Sequence, residues 1–387
     1  MSEFLRRGTG RKVLSFGELL LRICPDTTGA WLQENSLSFY VGGAEANVAT
    51  ALATWGIPSA YFTAIPDNLM SRQLTGYLQQ RQIDTSPILF QGSRLGLYFL
   101  PKGKDLKNAG VIYDRDHSSF SELQPGSIDW DRILEDVSWL HFSAISPALN
   151  ARVAAVCGEA VKAASARNIM ISVDLNYRAK LWQYGVAPID VMPGLVQYCD
   201  VIMGNLWAAE KMLGIPVDPA ITDRGKKEDY LHHAQQTSER IAALYPRATA
   251  GVIANTFRFD RVAGQERGPG MGSEGNGGGD RPGNRGGDGA GGQGGEHGAT
   301  GIHYYTTLYA DQQLYHSAEY FADRIVDKVG SGDCYMAGLI YGLYKGHSLQ
   351  ETLEFATAAA FKKLFITSDA TDQKAGDIEQ FIKTYER

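Results

Sequence analysis

The sequence predicts a doubly wound α/β protein: a mostly parallel sheet with helices on both faces, carrying a small additional β-sheet. Three observations predict it. Short apolar runs, KVLSFGEL, AYFTAI, WLHFSAI, IMISVDL, VIMGN and GVIAN, recur along the chain. They are apolar throughout rather than at every second residue, which is the pattern of strands buried on both faces. Between them lie stretches with helical spacing, AEANVATALATW, ARVAAVCGEAVKAASARN and HHAQQTSERIAALYP. That alternation builds βαβ units around a parallel sheet. Two early regions break the rhythm, LLLRICP to SLSFYVGG and ILFQGSRLGLYFLPKG to AGVIYDRDHSS. They read as strand pairs joined by polar turns, hence a β appendage on the core, with irregular loops as the alternative.

Late in the chain, VIANTFRF and IHYYTTLY read as two further strands. From about residue 264 to 301 the chain between them is dominated by glycine and polar residues. Such a segment has almost nothing apolar to bury and is expected to be a disordered surface insert between neighbouring strands. Phosphate-cradling loops are short and set directly ahead of a helix, so the glycine content alone does not make it one.

Composition narrows the function classes. With 44% hydrophobic and 10% aromatic residues in 387, the chain can bury a large core of one to three domains. A net charge of -6 and a pI near 5.8 provide no basic field for a nucleic-acid backbone. Glu18 and Arg22 interrupt the first apolar stretch, and no run is long enough to span a bilayer, so the expectation is a cytoplasmic protein with no membrane partner. Cys24, Cys157, Cys199 and Cys334 show no CxxC spacing and lie mostly in apolar runs, as reduced buried thiols do.

The stretch DKVGSGDCYMAG, residues 327–338, points to chemistry. Gly330, Ser331 and Gly332 precede Asp333, and apolar residues follow at helical spacing from Tyr335 through Leu343. Asp333 therefore stands at a helix N-terminus. Small residues leave backbone N–H groups pointing into open space, and with the helix dipole these favour a negative charge. A carboxylate in such a place either caps the helix or takes a proton from a neighbouring hydroxyl while the amides stabilise a phosphoryl group in transfer. The GSG ahead of it favours the second reading. There is no GxxxxGK[ST], which excludes a P-loop, and the spacing from Gly332 to Gly338 breaks the GxGxxG of a dinucleotide site.

In open α/β sheets ligands bind beyond the carboxyl ends of the strands. IMISVDL continues into Asn176, Tyr177 and Arg178; VIMGN ends at Asn205; GVIAN ends at Asn255 and Thr256, with Arg258 close behind. These residues are expected to converge on one crevice.

DKVGSGDCYMAGLIYG resembles the C-terminal signature of the PfkB, or ribokinase-like, sugar kinases, and YVGGAEANVATALATWG resembles their N-terminal glycine-pair signature. LHFSAISPAL, SVDLNYRAKLW and the YDR of VIYDRDHSS resemble the 2-keto-3-deoxygluconate kinase branch. The resemblance covers nearly the whole chain outside the glycine-rich insert. It implies one kinase domain over residues 11–387, with a β lid formed from about 18–43 and 88–118. The implied reaction is ATP-dependent phosphorylation of the primary hydroxyl of 2-keto-3-deoxygluconate, with Asp333 as general base and Gly330, Ser331 and Gly332 as the anion hole. Gly43 and Asn47 would meet the sugar, Tyr98, Tyr113 and Arg115 would reach from the lid, Arg178 from the core, and Ile145 would form an apolar wall. Two arginines on one ligand suit a sugar bearing a carboxylate, which a guanidinium grips in two places.

The nucleotide side departs from the family pattern. The usual Lys-x-Gly-x-x-Gly is replaced by ANTFRFD, and a magnesium-associated Asn-x-x-Glu survives only as Asn205 and Glu210 with extra spacing. Thr256 and Arg258 are expected to take over near the phosphates. Thr357 lies further along the nucleotide rim and Asp369 along the substrate rim. The implied cofactors are ATP and Mg2+, with a monovalent cation beside the anion hole left open, and the expected partner is a second copy of the chain, paired through the lid. The alternatives are a kinase for fructose or another neutral sugar and a non-catalytic sugar or nucleotide sensor.

Overall fold

The structure is a computed structural model that describes residues 8–25, 31, 35–101, 111–218, 221, 227–249, 251–261 and 301–385. Apart from Gly301, the glycine-rich segment lies outside the described residues. The strands are β1 (Lys12–Phe16), β2 (Leu20–Cys24), β3 (Ser38–Gly42), β4 (Ser59–Phe62), β5 (Ala64–Ile65), β6 (Ile83–Asp84), β7 (Leu89–Phe90), β8 (Gly96–Phe99), β9 (Ile112–Asp114), β10 (Val137–Ser143), β11 (Met170–Asp174), β12 (Val201–Gly204), β13 (Val252–Arg261), β14 (Gly301–Ala310), β15 (Gln313–His316) and β16 (Tyr320–Ala322). The helices are α1 (Ala44–Thr54), α2 (Leu69–Gln80), α3 (Trp130–Ile133), α4 (Ala151–Ala166), α5 (Pro188–Val196), α6 (Leu206–Leu213), α7 (Lys227–Leu244), α8 (Pro246–Thr249), α9 (Ser331–Lys345), α10 (Leu349–Lys363) and α11 (Ala375–Tyr385).

The main sheet runs β15-β14-β13-β12-β11-β10-β1-β4-β6, with β16 also paired to β14. From β13 to β6 every pairing is parallel. The strands flanking the glycine-rich segment, β13 and β14, pair antiparallel up to Arg261 and Gly301. Every residue of β10 and β11 is buried, as their uniformly apolar runs require of strands covered on both faces.

One face carries α4, α5 and α6. In α4, Val153, Val156, Cys157, Ala160, Val161 and Ala164 repeat at helical spacing and are buried, and Asn150 caps the helix by accepting from Val153 N. The opposite face carries α1, α9, α10 and α11. Here α9 and α10 touch backbone to backbone: a Cβ on Gly338 would stand 2.4 Å from Ala356 Cα, so only glycine admits this packing.

The small sheet is separate, in the order β3-β2-β8-β9. It comprises the two strand-rich regions, but two apolar runs are divided in a way their patterns did not indicate. KVLSFGEL ends as a strand at Phe16, and the chain crosses at Gly17 and Glu18 into β2 of the small sheet. AYFTAI breaks at Thr63, leaving β4 in the main sheet while β5 pairs with β7. The physical reason at Thr63 is a side-chain acceptor, because its Oγ1 takes the Leu19 N–H just past the crossing. A continuous hydrophobic run carries no mark of such a polar tie. All four cysteines are buried.

The parallel register aligns the carboxyl ends of the central strands. Phe16 is opposite Phe142, Ser143 opposite Asp174, Asp174 opposite Met203, and Gly204 opposite Asn255. The small sheet stands over that edge. Among the described residues, no helix is long and apolar enough to cross a membrane.

Candidate active site

Between the strand ends, the small sheet and the N-terminus of α9 lies a cavity of about 240 Å³. Helix α9 begins at Ser331 with Gly330 as its N-cap, at a φ of 79. That left-handed backbone favours glycine. In the first turn Cys334 N bonds to Gly330 O and Ser331 N to Lys328 O. Among the described residues, the amides of Gly332 and Asp333 have no such partner, as expected at a helix start. Gly332 lines the cavity, and a Cβ there would meet nothing closer than Met203 Cε at 3.8 Å, so its small size leaves the space in front of these amides open.

Asp333 lines the cavity beside them. Asn47 Nδ2 donates to its Oδ2 at 2.7 Å. Burial pushes the Asp333 carboxyl up to about 6; the Asn47 hydrogen bond and the charges of Arg178 and Lys363 hold it from rising further, and Asp369 adds to the rise. Two further cavity carboxylates are shifted more. Burial raises Asp174 to about 7, with Asp333 as a like-charged neighbour. Burial also raises Glu45 to about 7, although Ser143 donates to it from both backbone N and Oγ.

Most of the residues singled out in the sequence come together here. Gly43, Asn47, Tyr98, Tyr113, Arg115, Ile145, Arg178, Asn205, Thr256, Gly330, Gly332 and Asp333 all line the cavity. Asn176 and Tyr177 do so too. The glycine pair has a reason within the protein: Gly43 has a φ of 126, and a Cβ there would sit 2.5 Å from Glu18 O.

Several residues are placed differently from expectation. Ser331, whose backbone amide is expected in the anion hole, does not line the cavity: its N donates to Lys328 O and its Oγ to Ala360 O, beneath the loop. Asp369 lies behind the wall, where Tyr98 Oη donates to its Oδ2 at 2.5 Å and Arg22 pairs with its Oδ1 at 2.9 Å. Thr357 is buried under β14, with its hydroxyl shared between Thr306 Oγ1 and Leu353 O. Neither Asp369 nor Thr357 lines the cavity. Arg258 lies opposite Tyr304 in the β13–β14 ladder, and its side chain is outside the described residues. Glu210 accepts from Val217 N and is not among the cavity residues, so the stretched Asn-x-x-Glu does not bring both members to the cavity. Asn205 Oδ1 caps α6 at Ala208 N. The Cys334 thiol is buried, donates to Ala359 O and is pushed up to about 12, which makes it a packing group.

Sequence reasoning passed over Glu18, Glu45 and Asp174. Glu18 is buried; its Oε2 accepts from Arg115 Nε, while Oε1 has no donor among the described residues. Glu18 falls inside the apolar run KVLSFGEL, whose continuation to Leu19 hides the strand end before it. Asp174 belongs to SVDLN, where the strand was carried past it. Glu45 passed as an ordinary acid in a first helical turn.

An ionisable base held beside unpaired amides meets the needs of phosphoryl transfer to an alcohol, and on this doubly wound core it marks a ribokinase-like sugar kinase. The chain belongs to the pfkB family of carbohydrate kinases, whose profile matches residues 11–254 and 296–371. It is an ATP-dependent sugar kinase. The unmatched interval contains Thr256, Arg258 and most of the glycine-rich segment.

Among solved structures, the chain resembles a 2-dehydro-3-deoxygluconokinase from Thermotoga maritima, with 30% identity and a TM-score of 0.78 over 97% of this chain and 100% of that one. Among relatives, it is 30% identical to the 2-dehydro-3-deoxygalactonokinase of Haloferax volcanii over 44% of this chain, a match that spans only 54% of that protein. It is 24% identical to the 5-dehydro-2-deoxygluconokinase of Geobacillus thermodenitrificans over 94% of this chain and 91% of that protein.

Proposed function

We propose that the protein phosphorylates the primary hydroxyl of 2-keto-3-deoxygluconate. The observation that carries the reading is that Arg115 and Arg178 line the same cavity as the buried base Asp333. A sugar acid offers a hydroxyl to Asp333 and a carboxylate to the arginines of the same cavity. Glu18 Oε1, buried and without a donor among the described residues, would accept from a further sugar hydroxyl. In the reaction, Asp333 takes the hydroxyl proton as the oxygen bonds to the γ-phosphorus and the bond to the departing ADP breaks. The Gly332 and Asp333 amides stabilise the phosphoryl charge. Mg2+ carried with ATP would supply further charge neutralisation. Magnesium takes few protein oxygens and retains water and phosphate ligands, and Asp174 and Asn205 at the strand ends suit that arrangement.

Thr256 lines the cavity, and Arg258 follows on the same strand; we propose that this pair attends the phosphates in place of the family lysine. Arg258→Ala should then raise the KM for ATP or lower turnover, and unchanged values of both would remove Arg258 from the site. The small sheet is proposed to close as a lid that excludes water. Its outer face is apolar: Phe39 is opposite Ile23, Ile23 opposite Phe99 and Phe99 opposite Ile112, with Phe39 and Ile112 57% and 56% exposed. A second copy covering that face would make the protein a homo-oligomer, which analytical ultracentrifugation of wild type against Phe39→Lys would reveal.

A neutral-sugar kinase is the second reading, and the Glu18–Arg115 pair favours it, because one of the two arginines is already balanced. A coupled assay with Mg-ATP separates the two. It would compare 2-keto-3-deoxygluconate, 2-keto-3-deoxygalactonate, 5-dehydro-2-deoxygluconate and fructose. The proposal expects the highest kcat/KM on the first, and a preference for fructose would overturn it.

A further inference from the structure

Behind the loop that carries Asp333 is a second cluster of charges, fully enclosed. Asp327 and Asp369 are 0% and 1% exposed, and Arg22 and Lys363 are both 0% exposed. Arg22, on β2 of the small sheet, pairs with Asp327 at 2.6 Å and Asp369 at 2.9 Å, and its Nη2 also donates to Thr367 O. Lys363 ends α10, and its Nζ donates to Ile366 O at 3.2 Å. The loop rests on this helix end. Val326 N and Asp327 N both bond to Leu364 O, and Ser331 Oγ bonds to Ala360 O. At Gly330 the approach is closest: an imagined Cβ would lie 1.8 Å from Asp369 O and 3.3 Å from Lys363 Cε.

We infer that Lys363 is the resident cation of this loop, a positioning residue whose ammonium fills the role of a monovalent ion beside the anion hole, so that turnover needs no added potassium or sodium. Charge balance carries the inference. Two buried carboxylates face two buried cations, and a third positive charge would be unpaired in a place where an uncompensated ion is costly. The ligand set agrees. Alkali ions are held by oxygens, and the carbonyls of Ile366 and Thr367 already accept from Lys363 and Arg22. These residues do not fit an added ion. Burial lowers the Lys363 ammonium, and Asp327 and Asp369 act to keep it charged. Its charge also reaches Asp333, whose ionised form it favours, so its loss should be felt in the chemical step.

The inference rests on the catalytic reading of Asp333, and the test separates the two. Turnover of the full-length protein is measured at constant ionic strength in tetramethylammonium, sodium, potassium and ammonium chlorides, with a thermal melt in each salt. Wild type should show the same kcat within about twofold in all four, and equal melting temperatures, because an ion bound only by the native state would raise one of them. Lys363→Met should lose about a hundredfold in kcat, with a smaller change in the KM for ATP, and regain part of it in ammonium or potassium. Lys363→Arg should retain more activity than Lys363→Met. A tenfold or greater stimulation of wild type by potassium, a melting temperature raised by potassium alone, or full turnover in a folded Lys363→Met would each overturn the inference. Should Lys363→Met not fold, the wild-type salt series decides alone. If no sugar is phosphorylated in any salt, the catalytic reading fails, and the melts still decide whether the loop takes an ion.

Discussion

Two clusters of acids and bases lie on opposite sides of one short loop and differ in how far their charges are compensated. Behind the loop, Arg22 pairs with both Asp327 and Asp369, Lys363 adds a second buried cation, and no group of the cluster is more than 1% exposed. In front of it, burial pushes Asp333, Glu45 and Asp174 up to about 6, 7 and 7. The same residue types serve as structure where every charge has a partner and as chemistry where one is left in want of a proton. Burial is common to both clusters. Compensation and access to the cavity distinguish them.

The largest expected effect tests the front cluster. Asp333→Asn should lower kcat by about a thousandfold, the scale of losing a positioned general base, while leaving the fold intact. Its stability should move the other way. Asp333 binds its proton more tightly folded than unfolded, so its contribution is fully present below the ordinary carboxylate value of 3.8 and is lost as pH rises through about 6. Asn carries no charge at any pH. The variant should therefore melt higher than wild type at neutral pH, and the gap should close as pH falls toward about 4. A variant less stable than wild type at pH 7 would mean that the carboxylate is structural, and the contrast between the two clusters would fail.

Arg22→Met makes the converse test behind the loop. Removing one partner leaves two buried carboxylates facing a single ammonium, and breaking such a pair costs about 3–5 kcal/mol. Urea unfolding should show the loss directly. Because Arg22 is on β2, the same change frees the small sheet from the loop, and the KM for the sugar should rise as well. A variant as stable as wild type would show that the back cluster is not the structural one.

Asn47→Ala should have a smaller effect and refines the front cluster further. Asp333 works ionised, so kcat/KM should fall as pH drops through about 6 and level off above it. Asn47 donates to the charged carboxylate, and losing that donor favours the protonated form. The acid limb should then shift to higher pH, with kcat at neutral pH down about tenfold, the worth of one hydrogen bond to a charged group. An unmoved limb would assign the titration to Glu45 or Asp174 instead.

The two clusters were not equally legible in the sequence. The fold was readable because uniformly apolar runs and helical repeats report burial directly, and Asp333 was readable because GSGD joins a backbone feature to a helix start. Asn47, Arg115 and Arg178 came from the resemblance, and the structure brings all three to the cavity. The back cluster left no local signal. Arg22 and Asp327 lie far apart in the chain, Lys363 looks like an ordinary basic residue in a last helical turn, and their partnership exists only once β2 crosses over the loop. Asp369 is expected on the substrate rim, but its side chain lies behind it, bonded to the Tyr98 hydroxyl. Pairing across the chain is a property of topology, which periodicity does not encode.

Thr357 gives the smallest and cleanest test of where the cavity ends. It is expected along the nucleotide rim, but the side chain faces β14 and its hydroxyl is committed to Thr306 and to Leu353 O. Valine keeps the branched shape and removes the hydroxyl, leaving Thr306 Oγ1 buried and without that partner. Thr357→Val should cost about 1–3 kcal/mol of stability, the penalty for stranding a buried polar group, and leave the KM for ATP within about twofold, since no group at the cavity surface changes. A larger rise in that KM without loss of stability would move the nucleotide rim across α10 and place Thr357 in front of the wall rather than behind it.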